Sequence, residues 1–384
     1  MRLKSQALVA AMAVMGITQP SSAIELDFSG FISVGAGISD NDQLNLDVGY
    51  DEDVSFDEDS ILGIQTTAPI NDKLSFTAQL VARGKDNYDI EAEWAFVNFE
   101  VNDELYSRAG RLRVPFFAYS DSVEVGYSYH WIRPPTEVYR LPFSSIDGVD
   151  ANYTHWLTDD WELTTQVYYG TYSDDEVDVF GQESELDLKN GTGLVLSANY
   201  DWLTLRGSVH YADVTLSNPD LDALGTALDG AGFGSVADDL AVEDNGVMFY
   251  EAAVIADYES YLVVAEWTML DYDRSVIPDD QGWMISLAKR IGSFTPHITF
   301  AKEKDDGESG FSDPIPSGVS PALDQLKASV DALESEALQE SWIAGIRWDF
   351  MPSAAFKFEA QFTDRKQPED DDAMIYSVVL DAVF

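Results

Sequence analysis

The residues best equipped for chemistry in this chain are arginines and carboxylates crowded between positions 108 and 150. Arg108, Arg111, Arg113, Arg133 and Arg140 stand there, with Asp121, Glu124, Glu137, Asp147 and Asp150 close by. Guanidinium and carboxylate groups at this density either pair with one another or hold a local anion or carboxylate. Arg111 and Arg113 share one face of any strand drawn through them. Arg108 has the opposite parity, which places it near a turn or past a bulge.

Other chemistries find less support. The histidines His130, His155, His210 and His297 are scattered, and no Gly-x-Ser-x-Gly run marks a nucleophile. The chain is expected not to be an enzyme, with no catalytic residue and no cofactor. Acid runs at 51–53, 174–176 and 369–372 could collect Ca²⁺ or Mg²⁺ through hard oxygen ligands. None has EF-hand spacing, so they read as solvated loops and no metal site is expected. The formal net charge of −47 excludes nucleic acid as a partner, since phosphate binding needs the opposite sign. An acidic field of this size concentrates cations at any opening.

The elements that must position these groups are strands. Apolar residues recur at every second place over 26–38, 60–68, 74–83, 90–101, 105–114, 149–157, 161–172, 191–200, 203–214, 246–257, 261–272, 281–291, 294–304, 342–350, 355–364 and 374–384. That makes sixteen. Between them, tight turns such as Asn102-Asp103-Glu104 and Tyr258-Glu259-Ser260 alternate with longer connections at 40–59, 84–89, 115–147, 173–189, 215–245, 273–280, 305–340 and 365–373. Membrane barrels have this asymmetry, with short periplasmic turns and long outer loops, and strands of this length suit a tilted span. A soluble β-sandwich would also alternate, but it would need neither so many strands nor this rhythm. Helical spacing over Pro321–Gln339 predicts a short helix inside one long loop. Arg206, Ser208 and His210 share a polar face, as do Gly345, Arg347 and Asp349; both faces are expected to look into a lumen, and Arg290 is read as a further strand arginine. Leu205, Val209, Tyr211, Trp342, Ile346, Trp348 and Phe350 are then expected to meet lipid.

Both ends of the chain agree. Met1 to Ala23 has a basic start (Arg2, Lys4), an apolar stretch from Ala7 to Ile17, and Ser21-Ser22-Ala23. This is the pattern of a cleaved secretory signal, too short to span a bilayer. The expected division is a signal at 1–23 and a barrel at 24–384. Cysteine is absent, so the fold must close without disulfides. Mean hydropathy is only −0.15, as expected where half of each strand is polar. At the other end Tyr376, Val378, Leu380, Ala382 and Phe384 alternate to the last residue. A strand that ends the chain must pair on both sides, and in hydrocarbon closure is obligatory.

That ending resembles the C-terminal strand by which bacterial outer-membrane barrels are recognised for assembly. The long connection after the fifth predicted strand, with Gly110-Arg111-Leu112-Arg113-Val114-Pro115-Phe116 leading into it, resembles the general bacterial porins, which are sixteen-stranded and commonly trimeric. The resemblance implies an outer-membrane location in a Gram-negative bacterium. It implies a third loop, 115–147, folded into the lumen. It implies a constriction built from Arg111, Arg113, Asp121, Glu124, Arg133, Glu137 and Arg140. The implied function is passive diffusion of ions and small hydrophilic solutes. The implied partners are outer-membrane lipid, lipopolysaccharide, the barrel assembly machinery and two further copies of the chain. A substrate-specific uptake channel and a structural or adhesive barrel with a plugged lumen are the alternatives.

Overall fold

A computed structural model describes residues 26–41, 48–179, 182–273, 278–306, 310–334, 337–367 and 371–384. The expected signal at 1–23 lies outside them. Among the described residues there are sixteen strands: β1 Asp27–Ser39, β2 Ile61–Asn71, β3 Leu74–Arg83, β4 Ile90–Asn102, β5 Leu105–Arg113, β6 Ser145–Trp156, β7 Trp161–Val179, β8 Gln182–Tyr200, β9 Leu203–Ser217, β10 Val242–Tyr258, β11 Tyr261–Tyr272, β12 Asp279–Lys289, β13 Phe294–Asp306, β14 Ala337–Met351, β15 Ala354–Gln367 and β16 Asp371–Val383. Each is antiparallel to its neighbours in sequence. β1 pairs with β16 from Phe31↔Val383 to Ser39↔Ile375, so the sheet has no edge. Phe384 completes the seam, its N–H and C=O both bonded to Gly30. The result is a closed antiparallel all-β barrel.

Alternation sorts the side chains. In β12, Trp283, Ile285 and Leu287 are 38–49 % exposed, while Met284, Ser286 and Ala288 between them are 1 % exposed. In β16, Tyr376 and Leu380 point out, and Ser377, Val379 and Asp381 are buried. Leu205, Tyr211, Trp342, Ile346, Trp348 and Phe350 are exposed, as their parity predicts. Polar groups fill the inner face: Lys357, Glu359, Gln361 and Thr363 of β15 are all buried. An outward apolar band with a polar inner surface suits a cylinder standing in hydrocarbon.

Several strands start earlier than the sequence expectation; β6 begins at Ser145, inside the connection expected to run over 115–147. Three long connections also differ in content. The stretch 173–189, expected as a long connection, instead prolongs β7 and β8 beyond the apolar band. Val177, Leu186 and Leu188 turn inward there and are buried, while Asp174, Asp175, Glu176, Glu183 and Glu185 stay on the water side or at bulges. The stretch 215–245 contains two helices, α1 Pro219–Gly230 and α2 Gly234–Leu240. Asn218 caps α1, its side-chain oxygen accepting from the N–H groups of Asp220 and Leu221. The helix expected over Pro321–Gln339 is α3, Pro321–Leu333. It is capped by Ser320 and ends before β14 begins. Leu228, Val236, Leu240 and Val330 from these helices join Leu186, Leu188 and Val214 in one apolar core at the long-loop end of the barrel.

Candidate functional site

The connection 114–144 between β5 and β6 carries most of the crowded charges, and the sheet holds it from many sides. Its neck is closed by Val114 N–H donating to Ser144 C=O at 2.8 Å. Arg206 of β9 donates to the carbonyls of Pro115 (2.5 Å) and Phe116 (3.4 Å), and pairs with Glu251 of β10 at 2.5 Å. Glu266 of β11 accepts from Ala118 N–H at 2.8 Å and Tyr139 Oη at 2.5 Å. His130 Nε2 meets Ser286 Oγ of β12 at 2.9 Å, and Trp131 Nε1 donates to Thr299 Oγ1 of β13 at 2.8 Å. Arg347 of β14 donates to the carbonyls of Tyr127 and Tyr129 at 2.6 and 2.7 Å. Lys357 of β15 donates to the Gly126 and Trp131 carbonyls at 2.6 and 2.5 Å, and pairs with Asp381 of β16 at 2.9 Å. Glu359 accepts from Ile132 N–H at 2.7 Å. All these wall residues have inward parity. Trp131, at the centre of the segment, is 0 % exposed.

Two glycines permit this close approach. A Cβ on Gly282 of β12 would sit 2.0 Å from the Glu137 carbonyl oxygen. One on Gly126 would sit 2.5 Å from Asp381 Oδ1. Any larger residue at either place would push the segment off the wall.

The seven charged residues singled out in sequence fall into three groups. Arg113, Glu124 and Arg111 lie on the side facing β3–β5. Arg113 stands 3.1 Å from Glu93 and 3.9 Å from Glu124, with its guanidinium 5.6 Å from the Trp94 ring centre. Arg111 Nε donates to Ser145 Oγ at 3.1 Å. Glu137 and Arg140 lie on the opposite side, against β12–β14, and Arg133 lies between the two, against β16 and the stretch before β2. Arg133 pairs with Asp59 at 2.5 Å and covers the Tyr50 ring. Glu137 accepts from Gln339 Nε2 at 3.2 Å and from Ser341 Oγ. Arg140 meets Asp280 (2.5 Å), Glu303 and Asp305. Asp121 is exposed and belongs to none of these groups.

Charges therefore oppose each other in both senses, wall arginine to segment carboxylate near β3–β5 and segment arginine to wall carboxylate near β12 and β13. Arg108, expected near a turn or past a bulge, lies within β5 in unshifted register with β4 and β6. It pairs with buried Asp150 at 2.5 Å, which in turn accepts from Gln166 at 2.9 Å. Gly110 between the arginines has φ +136°, and simple alternation does not hold across it. Arg290 lies just past β12 and pairs with Asp257 at an exposed turn.

Sequence reading missed Arg83, which bridges Glu91, Glu93 and Glu124. It also missed Lys357. Both are cations at inward parity on otherwise polar strand faces, and that was the available signal. Among the described residues, no group of three or more His, Asp or Glu is arranged to hold a metal ion. Between the segment and β3–β7 lies a cavity of about 620 Å³, lined by Arg83, Glu93, Arg111, Arg113, Glu124 and Tyr172 among others.

No protein-family model matches the chain, and no curated protein matches it by sequence. Solved structures do. A loop-L8 deletion mutant of OmpT, an outer-membrane protein of Vibrio cholerae, superposes with a TM-score of 0.58 at 12% identity, over 94% of this chain and 99% of that one. The outer-membrane channel DcaP of Acinetobacter baumannii gives 0.58 at 10% identity, over 95% and 99%. Salmonella typhi OmpF, in complex with daunomycin, gives 0.51 at 12% identity, over 94% and 98%. At these identities the likeness is one of architecture: the chain has the fold of a sixteen-stranded outer-membrane barrel.

Proposed function

We propose that this protein is a diffusion channel for ions and small hydrophilic solutes in the outer membrane of a Gram-negative bacterium. The observation that carries the reading is the seating of 114–144. Wall groups from β9 to β15 anchor the segment, Glu124 and Arg133 reach across to Arg83 and Asp59, and the cavity of about 620 Å³ between the segment and β3–β7 is the passage of this proposal. Arg111, Arg113, Glu124, Arg133, Glu137, Arg140 and Asp121 are the constriction residues of this proposal, joined by Arg83 and Glu93. The reading assigns the protein no catalysis.

Selectivity follows from the charge count. Four cationic side chains line the 620 Å³ cavity against six carboxylates. The whole chain carries −47. Mouth and narrows thus favour the same sign, and the channel should prefer cations. Single-channel recording of the refolded protein in a planar bilayer, with a salt gradient, tests this. A cation-selective reversal potential is expected, and Arg111→Gln should shift it further toward cations. An unchanged potential would dismiss Arg111 as a pore residue. Absence of any conductance, together with no liposome swelling in sugars, would favour a plugged barrel instead.

Vibrio cholerae OmpT folded in vitro has a trimer form, and its shared architecture supports three copies here. Native mass spectrometry in detergent tests this, and a monomer would refute it. The outward row Tyr376, Val378, Leu380, Ala382 and Phe384 is proposed as the assembly signal. Phe384→Ser should lower the yield of inserted barrel in cells while leaving refolding in detergent intact.

A further inference from the structure

Inward positions in a membrane barrel are ordinarily polar. At the long-loop ends of β8, β9 and β10 this protein reverses the rule. Leu188, Ala212, Val214, Val247 and Phe249 all turn inward and are buried. Part of this apolar face is covered by α1, α2 and α3, whose Leu228 and Val330 are 0 % exposed. The rest borders a second cavity of about 390 Å³. Its floor is the segment 114–144 itself, through Phe116 and Phe143. The Phe116 ring stands edge-on to Phe143 at 5.4 Å and to Phe249 at 5.2 Å.

One rim of the cavity is charged. Arg140, Asp280 and Asp305 line it, and Glu303 also contacts Arg140. One guanidinium against three carboxylates leaves a net charge of −2. The cavity size falls within the range of small-molecule pockets, about 300–1,000 Å³. Its walls offer water few partners, so an apolar occupant replaces poorly bonded water.

We propose that this cavity binds solutes that join an aromatic or branched apolar body to an ammonium group, holding them at the entrance to the passage. The ring packs among Phe116, Phe249, Leu188 and Val214, and the ammonium faces Asp280 and Asp305. The proposal rests on the channel reading above and narrows it to a preferred solute class. The row of inward apolar residues is the cause: a purely aqueous vestibule would gain nothing from it, whereas burying a solute's apolar surface is favourable by roughly 25 cal/mol per Å².

The test is current block by 2-phenylethylamine added on the long-loop side of bilayers holding the protein. Concentration-dependent interruptions are expected. Ethylamine and 3-phenylpropionate, which lack the ring or carry the wrong charge, should need at least tenfold higher concentrations. Ala212→Trp fills the cavity, and its conducting channels, which themselves show that the variant folded, should lose the block at least tenfold. Equal block by ethylamine, or persistence of the block in A212W, overturns the proposal. Normal currents with no block overturn it as well and leave the channel reading standing. If the protein conducts nothing, the channel reading falls, and calorimetric titration of 2-phenylethylamine into the detergent-solubilised protein decides the cavity alone. Saturable heat in the native protein that A212W lacks supports the site, and its absence in both rejects it.

Discussion

Lys357 is a single amine in a place where water does not reach, 1 % exposed. It survives there because the Gly126 carbonyl, the Trp131 carbonyl and Asp381 all accept from it, and the Tyr129 ring lies 4.9 Å away. A buried charge with its partners intact is tolerated, but removing one member is costly. Lys357→Met should therefore cost about 3–5 kcal/mol by leaving the Asp381 charge with only the Ser33 hydroxyl and two carbonyls without a donor. The expected signs are a noisier open current and faster cleavage of 114–144 by protease; an unchanged cleavage rate would show that the amine does not hold the segment. His130 gives the same seat a pH dependence. Burial, then the neighbouring His297, Lys357 and Arg347, hold its pKa well below the usual histidine value. The neutral ring is thus the form that fits, with Ser286 on Nε2 and Glu359 beyond His297. The detached segment would take up a proton near pH 6.5. Stability from this group is present above that pH and is lost as pH falls toward the lower folded value. Channel closures should become more frequent below about pH 6.5, and His130→Gln should flatten the pH profile. A flat profile in the native channel would remove His130 from the argument.

At the scale of elements, the contact between 114–144 and β12 is a backbone-to-backbone fit that only glycine allows. Gly282→Ala places a methyl 2.0 Å from the Glu137 carbonyl, a distance no real contact sustains. Gly207→Ala in β9 is a fair control, since its Cβ would meet its nearest neighbour at 3.7 Å. Single-channel conductance should change in G282A and stay as it is in G207A. Equal behaviour of the two would mean that the segment does not bound the passage. The extended β7–β8 hairpin belongs to the same scale. Its Val177, Leu186 and Leu188 pack with α1 and α2, which cover the part of the inward apolar face that the cavity leaves.

The whole molecule is a cylinder whose two surfaces obey different solvents. Ile285, in the middle of β12, is 49 % exposed on the outside, and Ser286 beside it is 1 % exposed on the inside. Ile285→Arg should destabilise the folded state by about 2–4 kcal/mol if the residue stands at bilayer mid-depth. Urea unfolding in lipid vesicles measures this; a negligible change would place β12 outside hydrocarbon. Closure also removes every sheet edge, which lets a chain without cysteine stay shut.

Period-two alternation is a local property, so the strand series, the closing row ending at Phe384 and the place of the long connection after β5 could all be read along the chain. Alternation names two faces without saying which solvent each will meet. The stretch 173–189 reads along the chain as a connection, and only the closed sheet turns its Val177, Leu186 and Leu188 inward past the membrane band. The bonds that seat 114–144 were out of reach for a different reason. Gly126 and Lys357 are 231 positions apart, and Ile132 and Glu359 are 227 apart. Pairings over such spans leave no periodic trace, because they depend on where sixteen strands close and not on which residues stand next to each other.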